Sequence, residues 1–100
     1  MSNHEWSEAD DIVAFYLYRF GTALLPCDMA AIAEQRGIKL GSMKMRISNF
    51  KAYAGAGRLG NIARQSAQVF ERYKDTPEPQ LRDKAFPEWS ESTKTGVGLK

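Results

Sequence analysis

The stretch of residues 40–54, LGSMKMRISNFKAYA, constrains the fold of this chain more than any other part of the sequence. On a helix that turns about 100° per residue, its larger apolar residues fall on one side, at spacings of three and four. Such a side has to be buried against other elements. It holds Leu40, Met43, Ile47, Phe50 and Ala54. We therefore predict an amphipathic helix with a core-facing side, within an all-α domain.

The opposite side of this predicted helix is small and polar and has no acidic residue. It holds Gly41, Ser42, Met45, Ser48, Asn49 and Ala52, with Lys44 and Lys51 on one edge and Arg46 toward the other. A solvated helix face ordinarily mixes both signs of charge. Hydrogen-bonding groups flanked by cations are instead suited to a polyanion, so we predict a DNA-reading helix.

A first helix is predicted over about residues 8–20. Ser7 and Asp10 make the Ser-x-x-Asp pattern of a capping box, and Gly21 is a typical C-terminal stop. The aromatic residues of this segment lie among acids on a capped amphipathic helix. We therefore interpret most of them as core residues rather than as base-stacking residues.

A short second helix is predicted over residues 29–36. Asp28 is a suitable N-cap, and Gly37 occupies the position after the helix where glycine is favoured. Only three residues separate the end of this helix from the stretch 40–54. Two helices joined by so short a glycine-containing turn are typical of a helix-turn-helix unit.

The rest of the chain is predicted to form a fourth helix and a tail. The helix runs from Ile62 to about Lys74, with Asn61 as its N-cap. Three prolines follow closely, which excludes a long helix. The predicted architecture is a four-helix domain over residues 5–75, with a helix-turn-helix-like core, and an extended proline-containing tail or linker over residues 76–100.

Charge is segregated along the chain, although the net charge is only +2. Residues 1–38 contain six acidic and two basic residues, residues 39–74 one acidic and eight basic, and residues 75–100 five acidic and four basic. A localised basic block is the electrostatic footprint of a phosphate-binding face. The alternative is a solvated basic surface that balances the acidic first third.

Residues 55–60, GAGRLG, match the dinucleotide-binding pattern G-x-G-x-x-G. That motif has to follow a strand and open a helix, whereas here it follows a predicted helix, so no cofactor is expected. Two interpretations stay open. The segment is either a plain connector, or a clamp in which Arg58 and backbone N–H groups at the next helix start hold a DNA phosphate.

No grouping of residues is typical of a catalytic or metal site, so an enzyme acting alone is not expected. His4 is the only histidine and Cys27 the only cysteine, which leaves no structural zinc site and no internal disulfide. No apolar run approaches the roughly 20 residues of a membrane span, and residues 1–11 lack the features of a signal peptide. A cytoplasmic location is expected.

Four segments together resemble a known family. They are Trp6-Ser7-x-x-Asp10, Gly41-Ser42-Met43-Lys44-Met45-Arg46-Ile47-Ser48-Asn49-Phe50, Gly57-x-Leu59-x-Asn61 and Val69-Phe70-x-x-Tyr73. In this order they resemble the small helical domain that precedes HNH endonuclease domains in bacterial restriction-type proteins. The resemblance covers residues 6–73. It implies a Myb-like or helix-turn-helix-like module that targets double-stranded DNA, together with a nuclease domain or subunit.

The chain departs from that family in one respect. No histidine follows residue 4, so no nuclease motif is present. We expect either an isolated DNA-binding protein or one domain of a longer protein.

The candidate site lies within residues 39–64. Ser42, Ser48 and Asn49 are predicted to reach base edges or phosphates by hydrogen bonds, and Met45 lies on the same side of the helix. The predicted phosphate contacts are Lys39, Lys44, Arg46, Lys51, Arg58 and Arg64. Two alternatives stay open: Asn49 bonds the backbone at the helix exit, and Arg46 lies against the acids of the first helix. The competing function is a protein-interaction adaptor that docks a partner through the acidic face of the first helix or through Phe86 and Trp89.

Overall fold

The computed structural model of the protein describes residues 5–55 and 62–89. These residues form five α-helices and a closing 3₁₀-helix, and they contain no strand. The helices are α1 (Glu8–Phe20), α2 (Met29–Gln35), α3 (Leu40–Gly55), α4 (Arg64–Tyr73) and α5 (Glu78–Ala85), and the 3₁₀-helix covers Pro87–Trp89. The predicted all-α fold is confirmed, whereas the predicted number of four helices is wrong because α5 was not expected.

Helix α1 is the central element, and α3, α4 and α5 all pack against it. It begins with the predicted capping box: Ser7 Oγ accepts from the Asp10 N–H at 3.1 Å, and the Asp10 carboxylate accepts from the Ser7 N–H at 3.2 Å. Phe15 is fully buried and contacts Phe50 of α3 and Phe70 of α4 edge to face, with ring centroids 5.2 and 5.5 Å apart. The aromatic side of α1 is therefore core.

The turn between α2 and α3 contains the predicted glycine stop. Gly37 has a φ of +71°, a left-handed conformation that glycine adopts without strain. Its N–H donates to the carbonyl of Glu34 at 3.1 Å, and the N–H of Ile38 donates to that of Ala33 at 2.9 Å, which makes a Schellman motif. Ile38 is buried in the core. The turn thus fixes the orientation of α3 relative to α2.

Helix α4 begins two residues later than predicted. It starts at Arg64, and Ala63 at the N-cap position makes no side-chain capping bond. The predicted N-cap, Asn61, lies outside the described residues. In the first turn, Gln65 and Ser66 both donate to a carboxylate of α1, at 2.6 and 2.8 Å. Tertiary hydrogen bonds therefore fix this helix start in place of a local cap.

The prediction of an extended tail is wrong for α5 and the 3₁₀-helix. Pro77 occupies the N-cap of α5 and Pro79 its first turn, where a proline removes no intrahelical hydrogen bond. The prolines that exclude a long helix are thus compatible with a short one. Phe86 is buried and contacts the ring of Tyr16 edge to face at 5.4 Å, so this segment completes the core beside α1. Residues 90–100 lie outside the described residues.

Candidate nucleic-acid interface

Helix α3 is oriented as its apolar spacing predicts. Met43 and Phe50 are fully buried, whereas Met45 on the opposite side is 66% exposed. Leu40, at the first turn of the apolar side, remains exposed. The predicted outer side is surface: Gly41, Ser42, Met45, Ser48 and Ala52 are exposed, and Asn49 is half-buried. This outer side is the candidate interface.

Three lysines flank the outer side of α3. Lys39 immediately precedes the helix, and Lys44 and Lys51 lie along one edge of it; all three are exposed. Within the described ranges, none of the three forms an ion pair with an acidic side chain. The positive charge of this edge is therefore not compensated by a described neighbour.

Arg46 lies against α1, which is one of the alternatives that the sequence left open. Its Nε is 2.8 Å from Oδ1 of Asp11, as an ion pair whose N–H is not aligned for a hydrogen bond, and its Nη2 donates to Oδ2 at 3.3 Å. Its guanidinium also lies over the Trp6 ring, 4.2 Å from the ring centre. The predicted phosphate contact of Arg46 is thus corrected to an internal ion pair, because a buried carboxylate needs a cation.

Asp11 joins three helices, a role that no motif in the sequence predicts. Its side chain is fully buried, and besides the Arg46 contact it accepts from Gln65 Nε2 at 2.6 Å and from Ser66 Oγ at 2.8 Å. Both carboxylate oxygens are therefore matched by donors from α3 and α4. The signal in the sequence is its position: Asp11 opens the apolar run of α1, and although an acid in the first turn favours the helix start, one on the buried side also needs a partner from another helix.

A shallow depression lies between the start of α1 and the outer side of α3. It is lined by Trp6, Ser42, Met45, Arg46 and Asn49. Gln65 Nε2 donates to the backbone carbonyl of Trp6 at 3.0 Å, which holds this segment beside the start of α4. The Asn49 side chain makes no hydrogen bond within the described part of the chain, so its alternative role, a backbone bond, is not found there. The depression thus combines apolar walls with hydrogen-bonding groups.

The remaining predicted contacts lie at the start of α4 and before it. Arg64 is the first residue of α4 and is exposed. Arg58 lies in the segment 56–61, outside the described residues. Both interpretations of the glycine-rich loop, connector or phosphate clamp, therefore stay predictions.

The surfaces that the adaptor alternative requires are largely buried. Asp10 and Asp11 are 7% and 0% exposed, and Asp10 pairs with Arg36 at 3.3 Å. Phe86 is 1% exposed. The acidic face of α1 is therefore reduced to Glu8. Of the two tail aromatics in this alternative, Phe86 belongs to the core, whereas Trp89 is half-buried.

The chain matches no family model, and no curated protein and no solved structure is significantly similar to it. Among the described residues there is no cluster of three or more histidine, cysteine, aspartate or glutamate side chains able to hold a metal ion. In the same ranges, none of the helices has the length and apolar character needed to cross a bilayer.

Proposed function

We propose that this domain binds double-stranded DNA by placing the outer side of α3 in the major groove, with α2 and α3 as a helix-turn-helix unit. The observation that carries the proposal is an exposed helix face without an acidic residue, flanked by three lysines that have no acidic partner in the described residues. The major groove, about 12 Å wide, admits an α-helix, and uncompensated lysines beside it are suited to the phosphate backbone.

The side chains divide into three roles. The phosphate contacts are Lys39, Lys44, Lys51 and Arg64, which supply affinity that is independent of sequence. Ser42, Ser48 and Asn49 reach base edges or nearby phosphates by hydrogen bonds. Arg46 contacts no phosphate; it positions α3 through its ion pair with Asp11 and orders the Trp6 ring by stacking on it.

The sequence resemblance to the domain in front of HNH endonucleases supports a more specific role. In this role the domain brings a nuclease domain or subunit to DNA in the cytoplasm of a bacterial cell. No histidine follows residue 4, so these 100 residues hold no nuclease motif, and the nuclease is either a further domain of a longer protein or a separate subunit.

The test is fluorescence anisotropy of a labelled duplex of random sequence, titrated at several salt concentrations. The double variant Lys44→Ala/Lys51→Ala should bind more weakly, and its negative slope of log affinity against log salt should become shallower by about 2, at about 0.9 per phosphate contact. Circular dichroism should be unchanged, since both lysines are exposed.

The control is Lys74→Ala/Lys84→Ala, which removes the same charge from α5 and from the residue after α4, outside the candidate interface. This control should keep the parent's slope. Binding that is insensitive to salt, or a Lys44→Ala/Lys51→Ala variant with the parent's slope, would overturn the proposal. A protein partner docked through an apolar surface would show little dependence on salt, which separates the adaptor alternative from DNA binding.

A further inference from the structure

We infer that the depression beside α3 recognises the C5-methyl group of a pyrimidine in the major groove, an inference that rests on the proposed DNA binding. The two bases that carry this group are thymine and 5-methylcytosine. Trp6 and Met45 give the depression apolar walls, and Ser42 and Asn49 add hydrogen-bonding groups. The edge of thymine has the same two parts, a methyl group beside the O4 acceptor.

Met45 is the side chain that points to an apolar ligand. It is 66% exposed, on a helix side whose other exposed residues are small or polar. A single exposed apolar residue is ordinary on a protein surface. This one, however, is next to an indole in a concave site, and its unbranched thioether adapts readily to a small apolar group.

The inner wall of the depression is held in place before any ligand arrives. The Arg46 guanidinium stacks over Trp6 at 4.2 Å, and its charge is paired with the fully buried Asp11 at 2.8 Å. A wall that is already ordered adds no ordering cost on binding. Because this cation is already paired, the depression suits a neutral methyl group better than a phosphate.

The hydrogen-bonding groups indicate which bases surround the methyl group. Ser42, Met45 and Asn49 are separated by three and four residues and therefore lie in one row along α3. Asparagine pairs with the N6 and N7 positions of adenine in the major groove. Asn49 is thus placed to read an adenine one step away from the pyrimidine that meets Met45, so the preferred site contains adjacent A·T pairs.

The experiment compares duplexes that differ only in methyl groups, by the same anisotropy titration at fixed salt. One pair is a non-repeating A·T duplex and its counterpart with uracil in place of every thymine. The other pair is a duplex in which uracil replaces thymine and an adenine adjoins each cytosine, with and without methylation of cytosine at C5. The parent protein should lose about fourfold in affinity on replacement of thymine by uracil, the value for burying one methyl-sized group. Met45→Ala should bind both A·T duplexes equally, with the parent's salt slope.

Lys84→Ala serves as the control and should keep the parent's ratio between thymine and uracil duplexes. If methylation of cytosine raises the affinity and replacement of thymine by uracil lowers it, the protein recognises both bases. If only the replacement by uracil lowers the affinity, it recognises thymine. Equal affinities within both pairs overturn the inference and leave the proposed function standing, because the protein still binds the duplexes and the separate salt titration tests that function. The inference is also overturned if Met45→Ala still binds the uracil duplex more weakly than the thymine duplex, since a difference in DNA shape then causes the weaker binding. If the parent protein binds none of the duplexes, both the inference and the proposed DNA-binding function are overturned.

Discussion

Replacing Asp11 with alanine removes the acceptor on which α3 and α4 converge. The Arg46 side chain, 15% exposed, then keeps its charge without a carboxylate, and the hydroxyl of the buried Ser66 loses its acceptor. Removing one partner of a buried ion pair typically costs about 3–5 kcal/mol, and an orphaned neutral group about 1–3 kcal/mol. These terms share one network and do not add. Since Arg46 keeps its contact with Trp6, we expect a total loss of about 3–5 kcal/mol.

Urea unfolding followed by circular dichroism measures this loss. A domain of this size has a free energy of unfolding of about 5–15 kcal/mol, so the expected change moves the midpoint far outside experimental error. The matched control is Asp75→Ala, which removes an acid whose side chain is 92% exposed. That change should stay within about 0.5 kcal/mol of the parent.

A double-mutant cycle identifies the ion pair as the cause. Arg46→Ala leaves the fully buried Asp11 carboxylate without its cation, so this variant should also lose about 3–5 kcal/mol although the hydrogen bonds from Gln65 and Ser66 remain. The combined variant should lose less than the sum of the two single variants, by about 0.5–3 kcal/mol. Strict additivity, or an Asp11→Ala variant as stable as Asp75→Ala, would refute the reasoning.

Two further predictions concern the α2–α3 turn and the contact between α1 and α5. Gly37→Ala should lower the free energy of unfolding by about 1–2 kcal/mol, because alanine is strained at a φ of +71°. Gly41→Ala, where an added Cβ meets open space, should change it little or raise it by up to about 1 kcal/mol, and equal urea midpoints for the two variants would contradict the turn geometry. The pKa of Glu78 is lowered because the Arg82 guanidinium donates to its carboxylate at 2.8 and 3.0 Å, with a further bond from the Tyr16 hydroxyl at 2.7 Å. A lowered carboxyl pKa stabilises the fold above the ordinary glutamate value of about 4.3, and this contribution is lost as pH falls through that value toward the lowered one. Urea midpoints measured from about pH 7 to about pH 3 should therefore fall less steeply for Glu78→Gln than for the parent, and parallel curves would argue against this contribution.

The bounds of α1, α2 and α3 could be predicted because their signals act within a few residues. The capping box of Ser7 and Asp10 and the glycine stop at Gly37 are local features, and each has the expected hydrogen bonds. Helix α5 could not be predicted in the same way. Pro77 and Pro79 read as helix breakers unless the helix begins between them, and burial of Phe86 depends on contacts with α1, far away in the sequence.

In the candidate site, too, the features that depend on local spacing could be predicted, and those that depend on contacts between distant residues could not. Periodicity alone predicts which side of α3 is exposed, since it depends only on the spacing of Met43, Met45 and Phe50. The role of Arg46 depends on Asp11, 35 residues earlier, and no local pattern connects the two. An acid at the start of an apolar run was the available hint, because such a residue requires a partner from another helix.

The structure also shows that the basic residues of the block 39–74 fall into two groups, those that pair with acids of α1 and those that do not. Arg46 and Arg72 of the basic block pair with Asp11 and Glu8 of α1, at 2.8 and 3.3 Å, so these two arginines balance acids of the first third of the chain. The exposed cations of the proposed interface that have no acidic partner in the described residues are Lys39, Lys44, Lys51 and Arg64. At about 0.9 per phosphate contact, four such cations support a salt slope of about −3 to −4. A steeper slope requires further cations, of which Arg58 in the glycine-rich loop is the one that the sequence already indicates.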